Sequence, residues 1–139
     1  MNSLFLDTNV MLDLLGEREP HYDSIAKIAS LSDKRIISLS ASSLSYATIF
    51  YILSKYENAP VVKDKLRKFK TISNISDLTE RVVEKALNSE FKDFEDALQY
   101  HCAIDAGCDL IITRNGKDFK FSNVPVMTAE EYLISLRTK

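Results

Sequence analysis

The sequence is poor in residues that interrupt regular structure, with three glycines and three prolines in 139 positions. That scarcity excludes a low-complexity or disordered chain and favours long regular elements. The two cysteines, Cys102 and Cys108, match no zinc-site or redox spacing. They read as small, buried, apolar residues in a reducing compartment. The two histidines, His21 and His101, have no partner at ligand spacing, and His101 reads as a core residue of an apolar helix. No apolar run approaches the ~20 residues needed to span a bilayer. The opening MNSLFLDTNV lacks the basic flank and long apolar core of a secretion signal, so a cytoplasmic protein with no membrane partner is expected. GxSxG, GxGxxG, HExxH and glycine-rich phosphate loops are all missing, which leaves nucleophilic serine or cysteine chemistry unsupported.

What is present is ordinary for a globular chain: 45% apolar and 27% charged residues. The length predicts a single domain over residues 1–139, burying roughly two thirds of its unfolded surface. A net charge of −2 does not advertise a nucleic-acid binder, although a local basic patch is sufficient for one.

Leu4-Phe5-Leu6 is a short apolar run that stops at Asp7, as a buried strand would, and Asp7-Thr8-Asn9 offers N-cap chemistry for a helix through Leu15. Asp7 thus falls where a strand hands over to a helix, the place at which open α/β sheets bind ligands. A second helix is expected from Tyr22 to Leu31, a strand at Ile36–Leu39, and a long apolar helix from Leu44 to Tyr56. Tyr46, Phe50, Tyr51 and Tyr56 on that helix read as core and dimer-face residues rather than a base-stacking surface. Pro60 suits the start of a helix carrying Lys63, Lys65, Arg67 and Lys68. This basic run is a solvated face or a set of phosphate contacts. A short strand at Thr71–Ser73 and a helix from Glu80 to Leu87, capped by Thr79, come next.

Asp93 is a credible N-cap with Asp96 at the third helical position, an arrangement that structure alone could explain. Gly107 closes that helix, and Asp109–Thr113 reads as a strand. Val124–Val126 is expected as an edge strand and Ala129 to Arg137 as a final helix. Strands alternating with helices imply right-handed βαβ units and a mostly parallel sheet covered on both faces.

The remaining chemistry lies in carboxylates at strand and loop ends: Asp7, Asp93, Asp96 and Asp118, with Thr113 and Asn115 nearby. Oxygen-only ligands select Mg²⁺ or Mn²⁺, and magnesium needs only one or two carboxylates plus substrate phosphate. Phosphodiester hydrolysis suits that combination. Haloacid-dehalogenase-type phosphatases want an acid where Asn9 stands, and the acidic pair of receiver domains is missing.

From Leu4 to about Leu133 the chain resembles PIN-domain ribonucleases, the fold of VapC-type toxins. Leu4-Phe5-Leu6-Asp7-Thr8-Asn9-Val10 resembles the first acidic motif, Asp93 to Gln99 the third, and Thr113-Arg114-Asn115 with Lys117-Asp118-Phe119 the fourth. The resemblance implies a three-layer α/β/α sandwich and a metal-dependent endoribonuclease, the toxin of a toxin–antitoxin pair. It implies Asp7 and Asp96 as principal ligands of Mg²⁺ or Mn²⁺, with Asp118 or Asn115 completing the site. Asn9 and Thr113 would orient these groups and Asp93 would support them. RNA, with Arg114 and Lys117 as further contacts, an antitoxin and a homodimeric copy are the implied partners. Thr48 stands where the family's second acid is expected, and Asn115 where many members have Asp. These departures favour one metal over two and keep open a PIN domain that binds RNA or protein without cutting. A DNA-directed nuclease of the same fold is a third reading.

Overall fold

The structure, a computed structural model, describes residues 2–137. Strands β1 (Ser3–Leu6), β2 (Ser38–Ser42), β3 (Asn74–Ser76), β4 (Leu110–Ile112) and β5 (Val126–Met127) form one sheet in the order β3-β2-β1-β4-β5. Every neighbouring pair is parallel. The helices are α1 (Thr8–Leu15), α2 (Tyr22–Asp33), α3 (Ser43–Leu53), α4 (Ala59–Thr71), α5 (Glu80–Leu87), α6 (Phe94–Asp105) and α7 (Ala129–Arg137). The expected α/β/α sandwich is present.

Two cores follow from the alternation of side chains along the strands. Leu4, Leu6, Leu39, Leu110 and Ile112 point to one face, packing with Met11, Ile25, Ile28, Ile49, Phe69 and Tyr132. Phe5 and Ile111, between them in sequence, point to the other and pack with Val82, Ala97, Cys102 and Phe119. Both faces are therefore covered, as parallel sheets require. Each fully buried aliphatic side chain contributes about 1.5–3 kcal/mol relative to exposure.

Local chemistry sets most boundaries. Asp93 accepts from the backbone N–H of Asp96 at 3.0 Å, and Thr79 from that of Val82 at 3.2 Å. Thr128 and Glu131 form a reciprocal capping box before α7. Gly107 adopts φ +71°, the left-handed conformation that lets the chain leave α6.

Several expected boundaries shift. The strand expected at Ile36–Leu39 starts at Ser38 and runs on through Ser42, because Arg35 turns the chain with φ 61° and leaves Ile36 exposed. Helix α4 continues through Thr71, where the Thr71 and Ser73 hydroxyls donate to its last carbonyls, so β3 falls at Asn74–Ser76. Strand β4 is shorter than expected, and β5 lies at Val126–Met127 rather than Val124–Val126. Helix α3 ends at Leu53, and Tyr56 beyond it is 82% exposed. His101 is half-buried rather than core, edge-on to Tyr100 at 5.0 Å. Cys102 and Cys108 are free and buried, as expected.

The order of the strands positions the site. From β1 the chain moves outward through β2 to β3, then returns to place β4 on the other side of β1. The crevice at the carboxyl ends of β1 and β4 is the topological switch point, where open α/β sheets hold ligands.

Candidate active site

Asp7 closes β1 at that switch point. Its backbone N–H donates to the Ile112 carbonyl at 2.9 Å, which extends the β1–β4 ladder to the aspartate itself. Its carboxylate is buried and doubly held: Oδ1 accepts the Thr8 N–H at 2.8 Å, and Oδ2 accepts the Thr113 hydroxyl at 2.7 Å. Thr113, the first residue past β4, in turn accepts the Asn115 N–H at 3.1 Å. Burial pushes the Asp7 carboxyl above the usual carboxylate range. The two hydrogen bonds oppose that shift, and the charges of Asp118 and Asp93 add to it.

Helix α6 brings its positive N-terminal end to the same crevice with Asp93, Glu95 and Asp96. The carboxyl of Asp96 is pushed up to about 7, first by burial and then by the charges of Asp93, Asp7, Asp118 and Glu95. Glu95 is raised by the same kind of causes: burial, then Asp93 and Asp7. Asp118, exposed on the 3₁₀ turn Gly116–Phe119, completes the mutually repelling set. Among the described residues, no salt bridge reaches Asp7, Asp93, Asp96 or Asp118. Equally, no three His, Cys, Asp or Glu side chains among them are drawn together closely enough to hold a metal ion.

Residues 3–117 match the family described as PIN domain. The chain belongs to the PIN-domain family. This PIN domain is 35% identical over 140 residues to Ribonuclease VapC1 of Aquifex aeolicus, covering 95% of each chain. Among solved structures it resembles DNA-bound VapBC from Salmonella typhimurium, with TM-score 0.72, 16% identity and coverage of 93% of this chain and 99% of that one. A toxin-antitoxin complex from Klebsiella pneumoniae gives TM-score 0.66 and 22% identity, covering 91% and 97%. At these identities the two structures speak for the fold.

The other residues singled out from sequence fall in distinct places. Asn9 accepts the Arg114 N–H at 3.4 Å, which ties α1 to the loop after β4. Thr48 donates to the Leu44 carbonyl at 3.1 Å, so its hydroxyl serves its own helix. Arg114 is committed to Asp13, its Nε donating to Oδ2 at 2.7 Å, while Arg18 approaches Oδ1 of the same carboxylate at 3.0 Å. Lys65 pairs with Glu57 and Lys68 with Asp64; Lys63 and Arg67 are exposed. All four ride on α4, which packs on α1 and α3, whereas α6 lies on the opposite face of the sheet. Lys117 lines the crevice beside Asp118.

Sequence reasoning missed what stands behind Asp7. The Gln99 Nε2 donates to Ser45 Oγ at 2.8 Å and to Thr8 Oγ1, and those two hydroxyls are 2.7 Å apart. This buried triangle fastens α1, α3 and α6 to one another next to the aspartate. One sign was available: a glutamine one turn past Asp96 falls on the same helical face. We expect Gln99→Ala to lower unfolding free energy by about 0.5–1.5 kcal/mol in a urea titration, because it removes the amide that donates to Ser45 and Thr8 while those hydroxyls keep each other as partners. Gln99→Glu should be worse, since it buries an unpaired charge.

Proposed function

We propose that this PIN domain is a divalent-metal-dependent endoribonuclease and the toxin of a toxin–antitoxin pair. The observation that carries the reading is the convergence of Asp7, Asp93, Asp96 and Asp118 at the switch point without a cationic partner among the described residues. Burial and the neighbouring negative charges raise the proton affinity of Asp7 and Asp96, which favours a site that receives a cation. The donor set is all oxygen, which fits Mg²⁺ or Mn²⁺. Because no three of these groups are close enough to cage an ion, the fit is to one that keeps water and takes a substrate phosphate. Asp7 and Asp96 would hold it, with Asp118 or Asn115 completing the set.

Bound there, such an ion supplies Lewis-acid polarisation of a phosphodiester and lowers the pKa of water. The protein's own groups supply the positioning. Thr113 and Thr8 fix both oxygens of Asp7 in place. Asp93 holds the first turn of α6, so the Asp96 carboxyl is presented from a rigid element. The relative named Ribonuclease VapC1 supports RNA as the substrate, and the complex structures support an antitoxin as partner.

Incubating purified protein with labelled structured RNA and Mn²⁺ tests this. Endonucleolytic products should form with the wild type and disappear with Asp7→Asn. Cleavage that survives the substitution belongs to a contaminant and removes the site assignment. Thr48 favours a second reading, a PIN domain that binds without cutting, because α3 offers the neutral Thr48 hydroxyl, turned to its own helix, where an acid is expected. RNA retained without products in the same assay would select that reading.

A further inference from the structure

A pocket of about 300 Å³ at the carboxylates is lined by basic and aromatic side chains as well as acidic ones. Asp93, Asp96 and Asp118 line it together with Lys92, Lys117, Lys120, Phe91 and Phe121. None of the three lysines forms a salt bridge among the described residues, and all are exposed. The rings belong to a ladder rooted in the core. Phe91 packs against Tyr100 at 5.1 Å and against the buried Phe119 at 5.9 Å, then meets Phe121 edge-on at 6.1 Å. Phe121, at the outer end, is 42% exposed, and Lys120 Nζ lies 5.3 Å from its ring centroid.

An anchored, partly exposed phenyl ring beside ammonium groups that form no salt bridge among the described residues has a definite ligand chemistry. A base stacks on the ring, and the flanking phosphates meet the lysines. The acids would repel a polyanion on their own, and the lysines that line the same pocket give the backbone a path to them.

Resting on the ribonuclease reading, we infer that this pocket is a nucleotide subsite that stacks one unpaired base on Phe121 and holds its flanking phosphates with Lys92, Lys117 and Lys120, next to the cleavage carboxylates. The base must be unpaired, because a base within an A-form duplex presents no free face and its major groove is too narrow for a side chain to read. Stacking tolerates every base, so the subsite selects for strandedness rather than for sequence.

Fluorescence anisotropy in the Asp7→Asn background, where turnover is removed, tests the subsite with three probes. These are a short unstructured labelled RNA, the same RNA with one abasic position, and its duplex. Phe121→Ala should weaken the unstructured probe about 5- to 150-fold, the span of one base–aromatic stack. Phe121→Tyr should restore it, and the duplex should be indifferent to both. Lys92→Ala with Lys120→Ala should flatten the salt dependence by ~0.7 in logarithmic slope for each phosphate no longer neutralised. Unstructured RNA bound by Phe121→Ala within twofold of its parent, or an equal loss for the duplex, overturns the subsite. That result is distinct from failure of the ribonuclease reading, which shows as absent or Asp7-independent cleavage in the otherwise unsubstituted protein.

Discussion

Asp96→Asn should abolish the thermal stabilisation that millimolar Mn²⁺ confers on the wild type, and with it RNA cleavage. An ion bound only by the native state, at a hundred times its dissociation constant, stabilises by about 2.7 kcal/mol. A clear upward shift in melting temperature is therefore expected for the wild type and none for the variant. Cleavage should fall by more than ~100-fold, since changing even the outer partners of metal ligands typically costs 10–100-fold. The same measurement without metal should show the reverse ranking. The folded-state carboxyl of Asp96 is raised from 3.8 to about 7, so folding favours its protonated form. Its stabilising contribution is complete below about pH 4 and is lost as pH rises through about 7. Metal-free wild type should therefore lose stability over that window relative to Asp96→Asn, whose side chain does not titrate. Mn²⁺ affinity should rise over the same window, because the ligand must shed its proton. If both proteins respond equally to Mn²⁺ from pH 5 to pH 8, Asp96 is not a ligand.

The second large effect lies away from the carboxylates. The Asp13 side chain is 2% exposed and is shared by Arg18 and Arg114, themselves 43% and 30% exposed. Breaking a buried pair from one side typically costs 3–5 kcal/mol. Asp13→Ala should sit near the lower end, ~3 kcal/mol by chemical denaturation, because both stranded guanidiniums still reach water. Arg114→Ala should cost less, since Arg18 still covers the carboxylate. The pair also matters to the site. Arg114 directly follows Thr113, and its backbone N–H meets Asn9. Freeing that arginine loosens the loop that holds Asp7, so RNA cleavage by Asp13→Ala should fall even where the protein remains folded. A double-mutant cycle between Asp13 and Arg114 isolates the coupling. An interaction energy near zero would show that the clamp does nothing.

The residues most legible in the sequence were those whose neighbours in the chain decide their structure. Asp7 announced itself because an apolar run ends on it, Asp93 because a capping pattern follows it, and Gly107 because a helix needs a left-handed residue to finish. Strand β2 was harder to place, since it buries serines at 40 and 42 where periodicity looks for aliphatic residues. The triangle of Thr8, Ser45 and Gln99 and the Asp13–Arg114 pair join segments distant in sequence, and beyond the place of Gln99 one turn past Asp96 little local marks them. Attention to runs of charge also favoured the α4 lysines. The lysines that flank the carboxylates, at positions 92, 117 and 120, come from two separate loops and form no run.

The switch-point geometry also governs when the site can assemble. Asp7 precedes in the chain each group it works with: Asp96 on α6, Thr113 after β4, then Asp118. The Thr113 N–H is itself held by the carbonyl of Met127 on the last strand. Parallel pairing of such distant segments forms late and together. A chain cut short before β4 therefore carries the first acid without the site, which assembles only once these distant segments pair.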